Sequence, residues 1–180
     1  DYILCHSSIK NEFMSAVKSE IRAQFGENPL ANENYGKIIN RKHFERLVNL
    51  MQKEKVIVGG KSDSASLKIE PTVMDGVTWQ DPVMQEEIFG PVLPVLTFNS
   101  YEQIYGMLSE KPKPLAFYIY TQNKKLAEKL TAEFSFGGGC INDCIIHLAT
   151  NNMGFGGVGE SGMGAYHGKE GFRTFSHYKS

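Results

Sequence analysis

Apolar positions along the chain alternate between two spacings. At the start, Tyr2-Ile3-Leu4-Cys5 is a short apolar run of strand character, and Phe13, Val17 and Ile21 then recur every fourth residue, with Met14 and Phe25 widening the stripe. That spacing predicts an amphipathic helix from Ser7 or Ser8 as cap to about Phe25, stopped by Gly26-Glu27-Asn28-Pro29. A second helical stripe, Phe44, Leu47, Val48 and Met51, follows Asn40 as its cap. Val56-Ile57-Val58 before Gly59-Gly60 predicts a short buried strand and a turn. Residues 67–73 read as extended, with Pro71 implying an edge or irregular pairing. Val92–Phe98 is a further strand, Tyr101–Leu108 a helix capped by Asn99 or Ser100, and residues 115–120 an almost wholly apolar strand expected to be covered on both faces. Helical spacing returns at Leu126, Leu130 and Phe134, and residues 138–146 return to strand. Strands alternating with helices of this length predict an α/β fold: a mostly parallel open sheet covered by helices in three layers.

Composition narrows the class without changing that picture. Over 180 residues the chain is 41% hydrophobic and 22% charged, ordinary for a globular protein. A net charge of −1 with both signs interspersed gives no footprint for nucleic acid or an acidic membrane surface. No apolar run has the length of a membrane span, and no basic leader opens the chain. Three cysteines without a Cys-x-x-Cys spacing point to free thiols in a reducing compartment, and hence to the cytoplasm. The chain opens inside an apparent strand without an initiator Met, so further sequence is expected upstream.

The irregular stretch from Asn151 to Gly168 is too long for a connector and is a candidate site wall. Gly157-Val158-Gly159-Glu160-Ser161-Gly162 matches G-x-G-x-x-G, but too little chain follows for the βαβ unit that a dinucleotide fingerprint requires. The glycines are expected to permit tight turns and positive φ instead. Cys140, Cys144 and His147 lack the further ligands of a zinc site, and on one strand His147 would point away from the two thiols, so no metal is expected. None of Cys5, Cys140 and Cys144 has an adjacent base or an electropositive setting, and each is expected to be structural. Phe155, a large aromatic between glycines, must be buried or form a binding wall. An isolated His such as His167 is more often packed than catalytic. In Gln85-Glu86-Glu87-Ile88-Phe89-Gly90-Pro91-Val92, two adjacent carboxylates precede an aromatic and a Gly-Pro stop. That run is either a solvated turn or a loop presenting a carboxylate and an aromatic face to a ligand.

This last run resembles the Glu-Glu-Ile-Phe-Gly-Pro signature of the aldehyde dehydrogenase superfamily. Ile141-Asn142-Asp143 and the run Gly154-Phe155-Gly156-Gly157-Val158-Gly159-Glu160-Ser161-Gly162-Met163-Gly164 follow in the family's order. With Tyr166-His167-Gly168 and Phe172-Arg173-Thr174-Phe175-Ser176-His177, the resemblance is to the class 3, fatty-aldehyde-type branch. Gly154 stands where the family usually has Pro, and Cys140 and Cys144 stand at strand positions more often aliphatic.

The resemblance implies an enzyme oxidising an aldehyde to a carboxylic acid with NAD or NADP, by attack of a cysteine thiolate and hydrolysis of the thioester. It implies that the chain is part of the catalytic domain, starting just after the nucleophile. The nucleophile, the general-base glutamate, the dinucleotide-binding domain and the oligomerisation hairpin would then lie outside it, leaving no catalytic residue here. On the same resemblance Glu87 accepts hydrogen bonds from the nicotinamide ribose, and Phe89 packs beside the nicotinamide ring. Glu86 is a neighbour, and Asn142 ties the end of its strand to nearby loops. Ile145, Leu148, Phe155 and His167 line an apolar aldehyde tunnel, and the complete protein is a homodimer or homo-oligomer. A non-catalytic assembly module with the same fold and a semialdehyde or acyl-CoA-forming relative are the alternatives.

Overall fold

The computed structural model describes all 180 residues. The chain divides into two compact units, Asp1–Ile104 and Tyr105–Ser180.

The first unit is built on a four-stranded sheet. Its strands are β1 (Ile3–His6), β2 (Val56–Val58), β5 (Thr72–Met74) and β6 (Val92–Phe98), in the order β1-β6-β5-β2. β1 and β5 both run parallel to β6, with Leu4 opposite Leu96 and Val73 opposite Leu93, while β2 closes the edge antiparallel. Two short strands, β3 (Ser62–Asp63) and β4 (Lys68–Ile69), form a separate hairpin.

Helix α1 (Lys10–Phe25) sends Phe13, Met14, Val17 and Ile21 against Cys5, Val73 and Val95. Helix α2 (Arg41–Leu50) sends Phe44, Leu47 and Leu50 into a larger cluster with Val92, Leu96, Ile69, Met74 and Ile88. Val95 belongs to one cluster and Val92 and Leu96 to the other, the period-2 alternation of a strand buried on both faces. This burial explains why β6 reads as a nearly unbroken apolar run.

Several expectations needed correction here. His6, not Ser7 or Ser8, makes the first cap: its Nδ1 accepts from Ser8 N (3.2 Å), and a single 3-10 turn, Ser7–Ile9, precedes α1. β2 lies at the sheet edge and Ile57 is exposed, so it is not a buried strand. Pro71 does not mark an edge, because it sits one residue before β5, an inner strand, but the irregular pairing it also implied is present: the β2–β5 register shifts between Val56 and Val58. Elsewhere the cap expectations hold, with Asn40 Oδ1 accepting from His43 N (2.9 Å) and Ser100 Oγ from Gln103 N (3.4 Å), the latter at the start of α3 (Tyr101–Leu108).

The approach to β6 is organised by Asp81, which is buried. Its Oδ2 accepts from Lys55 Nζ (2.5 Å) and from Thr78 N (2.6 Å). Burial works against its charge, but the hydrogen bonds from Lys55 and Thr78 outweigh it and hold the carboxyl below its ordinary value. A depressed carboxyl pKa stabilises the fold fully above the unfolded value of about 3.9, and this is lost as pH falls through the lower folded value. Lys55→Met should therefore destabilise the protein at neutral pH and flatten its loss of stability below about pH 4. An unchanged profile of urea midpoint against pH would remove this pair from the turn's stabilisation.

The second unit carries β7 (Ala116–Ile119) and β8 (Gly138–Ile141), paired in parallel with Tyr118 opposite Cys140. Between them runs α4 (Lys124–Glu133), capped by Asn123 and burying Ala127 and Leu130. α5 (Gly168–Thr174) follows the Gly-rich stretch. β7 is not covered on both faces: Ala116, Phe117 and Tyr118 are half-buried and only Ile119 is buried, while the flanking Leu115 and Tyr120 are exposed. β8 ends at Ile141, not Ile146. Asn142 turns the backbone at φ 57° and hydrogen-bonds both Thr121 N (2.8 Å) and Thr121 O (3.0 Å). An amide can accept and donate at once, and Asn tolerates the left-handed region, so it stops the strand and ties it to the neighbouring loop as expected. Cys144 consequently lies beyond the strand, in an exposed turn.

Candidate functional site

In the first unit the residues around Glu87 form a loop clamped from below. Ile88 is fully buried beside Leu47, Val83 and Val92. Gly90 lies so close to α2 that a Cβ there would come within 2.5 Å of Leu47 Cδ2, so close approach, not positive φ, requires the glycine. With Ile88 anchored inward, its neighbours face outward: Glu87 is exposed and Phe89 is 76% exposed. Phe89 also holds φ at 48°. For a bulky residue without a local side-chain hydrogen bond this region costs about 1–3 kcal/mol, and it persists only where the surroundings impose it.

Arg46 on α2 supplies much of that constraint. Its Nη1 donates to the Glu87 carbonyl (3.3 Å) and pairs with Glu86 Oε1 (3.1 Å), and its Nη2 donates to the Ile88 carbonyl. The ion pair is half-exposed and contributes about 0–1 kcal/mol. A charged donor on a backbone carbonyl contributes about 1.5–3 kcal/mol, so the carbonyl contacts dominate. Glu86 is thereby turned to α2, while the exposed Glu87 carboxylate makes no close ion pair and feels only the nearby charge of the Asp1 ammonium. Of the two adjacent acids, only Glu87 is left to accept hydrogen bonds from a ligand. A carboxylate can accept two, which suits a vicinal diol.

In the second unit the Gly-rich stretch folds back on itself. Phe155 N donates to Tyr166 O (2.7 Å) and Tyr166 N to Phe155 O (3.0 Å), forming a one-pair bridge. Gly156 is required there because a Cβ would meet the Gly164 carbonyl oxygen at 2.1 Å. The bridge stacks Phe155 on His167, with centroids 5.9 Å apart and planes at 24°. Tyr166 meets His167 edge-on at 4.6 Å, and His147 lies against Phe155 at 5.9 Å and Tyr118 at 5.6 Å. The result is a connected aromatic wall. Ile145 precedes and Leu148 ends a single 3-10 turn, Ile146–Leu148, and both are exposed.

Phe155 and His167 are thus brought into contact, and Glu87 and Phe89 share one loop. Backbone conformation adds a signal invisible in the sequence. Five non-glycine residues have positive φ, namely Leu67, Phe89, Asn142, Ile145 and His167, and three of them are candidate site residues. Strain of this kind concentrates at functional positions, and for the β-branched Ile145 it is a true outlier.

Two residues escaped the sequence reading. Arg46 has no local signal, because its partners Glu87 and Ile88 lie about forty positions away, beyond any local spacing. In sequence His147 reads only as a poor metal ligand pointing away from the thiols. Because β8 stops early, its Nδ1 comes back to 3.8 Å from Cys140 Sγ, while its buried Nε2 has no partner. No group of three or more His, Cys, Asp or Glu is arranged to hold a metal ion. The G-x-G-x-x-G match holds a 3-10 turn, Gly159–Ser161, with no strand entering it.

The sequence matches the aldehyde dehydrogenase family over residues 1–180. The 4,4'-diaponeurosporen-aldehyde dehydrogenase of Staphylococcus aureus (strain NCTC 8325 / PS 47) is 44% identical over 182 residues, covering 100% of this chain and 40% of that protein. The mouse protein named aldehyde dehydrogenase, dimeric NADP-preferring, is 46% identical over 180 residues, with the same coverage of 100% and 40%. The structure of a substrate-bound state of Staphylococcus aureus AldH superposes with a TM-score of 0.96 at 43% identity, covering 100% of this chain and 41% of that one. The chain therefore spans about 40% of the length of the curated relatives it matches. A match running through every residue, together with these identities and the near-coincident backbone, means that the chain belongs to the aldehyde dehydrogenase family.

Proposed function

We propose that the protein carrying this chain is an NAD(P)-dependent aldehyde dehydrogenase that oxidises an apolar aliphatic or aromatic aldehyde to the carboxylic acid through a cysteine thiohemiacetal and thioester. In this reading the 180 residues are part of the catalytic domain. The observation that carries it is the clamped loop, which keeps one carboxylate unpaired and one aromatic exposed at positive φ. Glu87 accepts hydrogen bonds from the nicotinamide ribose, and Phe89 provides the apolar face beside the nicotinamide ring. The nicotinamide, when bound, accepts the hydride that leaves the substrate carbon. Phe155, His167, Ile145 and Leu148 line the aldehyde tunnel, and their mostly apolar surface favours an apolar substrate over a charged one.

None of the chain's own thiols is assigned as nucleophile. Cys5 is buried, and burial pushes its thiol above the ordinary value, the wrong direction for a thiolate. Cys140 and Cys144 belong to the end of β8 and the turn after it. The mouse relative's name specifies a dimer and a preference for NADP. We extend the first to a homo-oligomer here and leave both NAD and NADP as cofactors to be compared. Three free cysteines, and no helix long and apolar enough to cross a membrane, suit a cytoplasmic protein.

The complete protein should reduce NAD or NADP when given medium-chain aliphatic or aromatic aldehydes, followed by absorbance of the reduced cofactor. The 180-residue chain alone should show no turnover. Absence of aldehyde-dependent reduction by the complete protein, or turnover by the isolated chain, would sink the proposal.

A further inference from the structure

We propose that Arg46 is the positioning residue of the cofactor-facing loop: it decides which of the two adjacent carboxylates stays free and holds Phe89 in its left-handed conformation. This rests on the reading of Glu87 and Phe89 as nicotinamide contacts, and adds a residue to which neither motif nor family match assigns a role.

One guanidinium grips three consecutive residues. It pairs with the Glu86 side chain and accepts no competition from Glu87, whose carboxylate is left outward. It also holds the carbonyls of Glu87 and Ile88. The Ile88 carbonyl and the Phe89 N–H belong to one planar peptide unit, so fixing the first orients the second. With that unit pinned and Gly90 pressed on Leu47, Phe89 has little choice but a positive φ of 48°. Release of the Ile88 carbonyl would let the peptide rotate, return Phe89 to ordinary φ and swing its ring away. The planar, forked geometry of Arg is what allows one side chain to serve a carboxylate and two carbonyls. A lysine ammonium at the same place would retain the charge but not the fork.

The test uses the complete protein, with Arg46→Met, Arg46→Lys, Glu87→Gln and the double variant Arg46→Met/Glu87→Gln. The readouts are KM for cofactor, KM for aldehyde, kcat and the thermal midpoint. A misplaced binding loop should raise the cofactor KM of Arg46→Met by about 10- to 100-fold. The aldehyde KM should stay within about twofold, and Arg46→Lys should fall between Met and wild type. Because Arg46 acts through Glu87, the double variant should lose far less than the product of the two single effects.

Three results overturn the proposal. If Glu87→Gln raises the cofactor KM and Arg46→Met does not, the positioning role fails while the cofactor reading stands. If the two effects multiply fully, Arg46 acts independently of Glu87. If both KM values rise together with a fallen thermal midpoint, the role is structural only, and Arg46→Lys settles this even where Arg46→Met does not fold. A cofactor KM unmoved in every variant overturns this proposal and the cofactor reading together.

Discussion

Glu87→Gln in the complete protein should slow hydride transfer or weaken cofactor binding by about 10- to 100-fold in kcat/KM. The size follows from the bond lost. A hydrogen bond to a charged group contributes about 1.5–3 kcal/mol, and each 1.4 kcal/mol is a factor of ten. The substitution keeps shape and size, so it removes the charge and one acceptor without disturbing Ile88 or Gly90. Glu86 should not compensate, because Arg46 already holds it. Single-turnover formation of reduced cofactor, run beside steady-state KM, separates slowed transfer from weakened binding. A variant with wild-type values in both would remove Glu87 from the cofactor site.

Ile88→Ala carries the largest expected effect on stability. Ile88 is fully buried among Leu47, Val83 and Val92, so truncation should cost about 2–5 kcal/mol through lost burial and the cavity left behind. Ile88→Val, one methylene smaller, should cost about 0.5–1.5 kcal/mol. The functional consequence differs from that of an ordinary core substitution, because Ile88 sits between two proposed cofactor contacts. Cofactor affinity should fall in both variants, and further in Ala than in Val, while aldehyde KM changes less. Urea midpoints with cofactor titrations on both variants check this. A destabilised Ile88→Ala protein with unchanged cofactor affinity would show that the loop keeps its shape without its anchor.

Comparison of the two β-regions shows where local pattern suffices. Val92–Phe98 and Tyr101–Leu108 were legible to the residue, because β6 is buried on both faces and α3 has a polar cap. The end of β8 was not. Residues 138–146 are apolar or Gly on either side of Asn142-Asp143, and residue type alone does not tell whether the chain stays extended through that pair. Asn142 ends it through two hydrogen bonds to Thr121, a residue on another segment. That change of course moves Cys144 off the strand and brings His147 back to Cys140. The start of α1 differs for a similar reason: Ser8 suits a cap by type, but a 3-10 turn capped by the His6 ring precedes the helix, whose own N-cap, Ile9, has no side-chain cap.

The sequence by itself determined the α/β class, most helix and strand positions, and a motif series specific enough to indicate the family. These are local or near-local properties: apolar period, caps, and short runs of residue types. Tertiary structure alone decided how the motif residues are presented. It placed Ile88 inward and Phe89 outward at positive φ, bridged Phe155 to Tyr166 so that Phe155 stacks on His167, and gave Glu86 rather than Glu87 to Arg46. These features depend on groups apart in the chain meeting in space, by side-chain packing, an ion pair and contacts to backbone carbonyls, and the carbonyls are carried by every residue and distinguished by no sequence pattern.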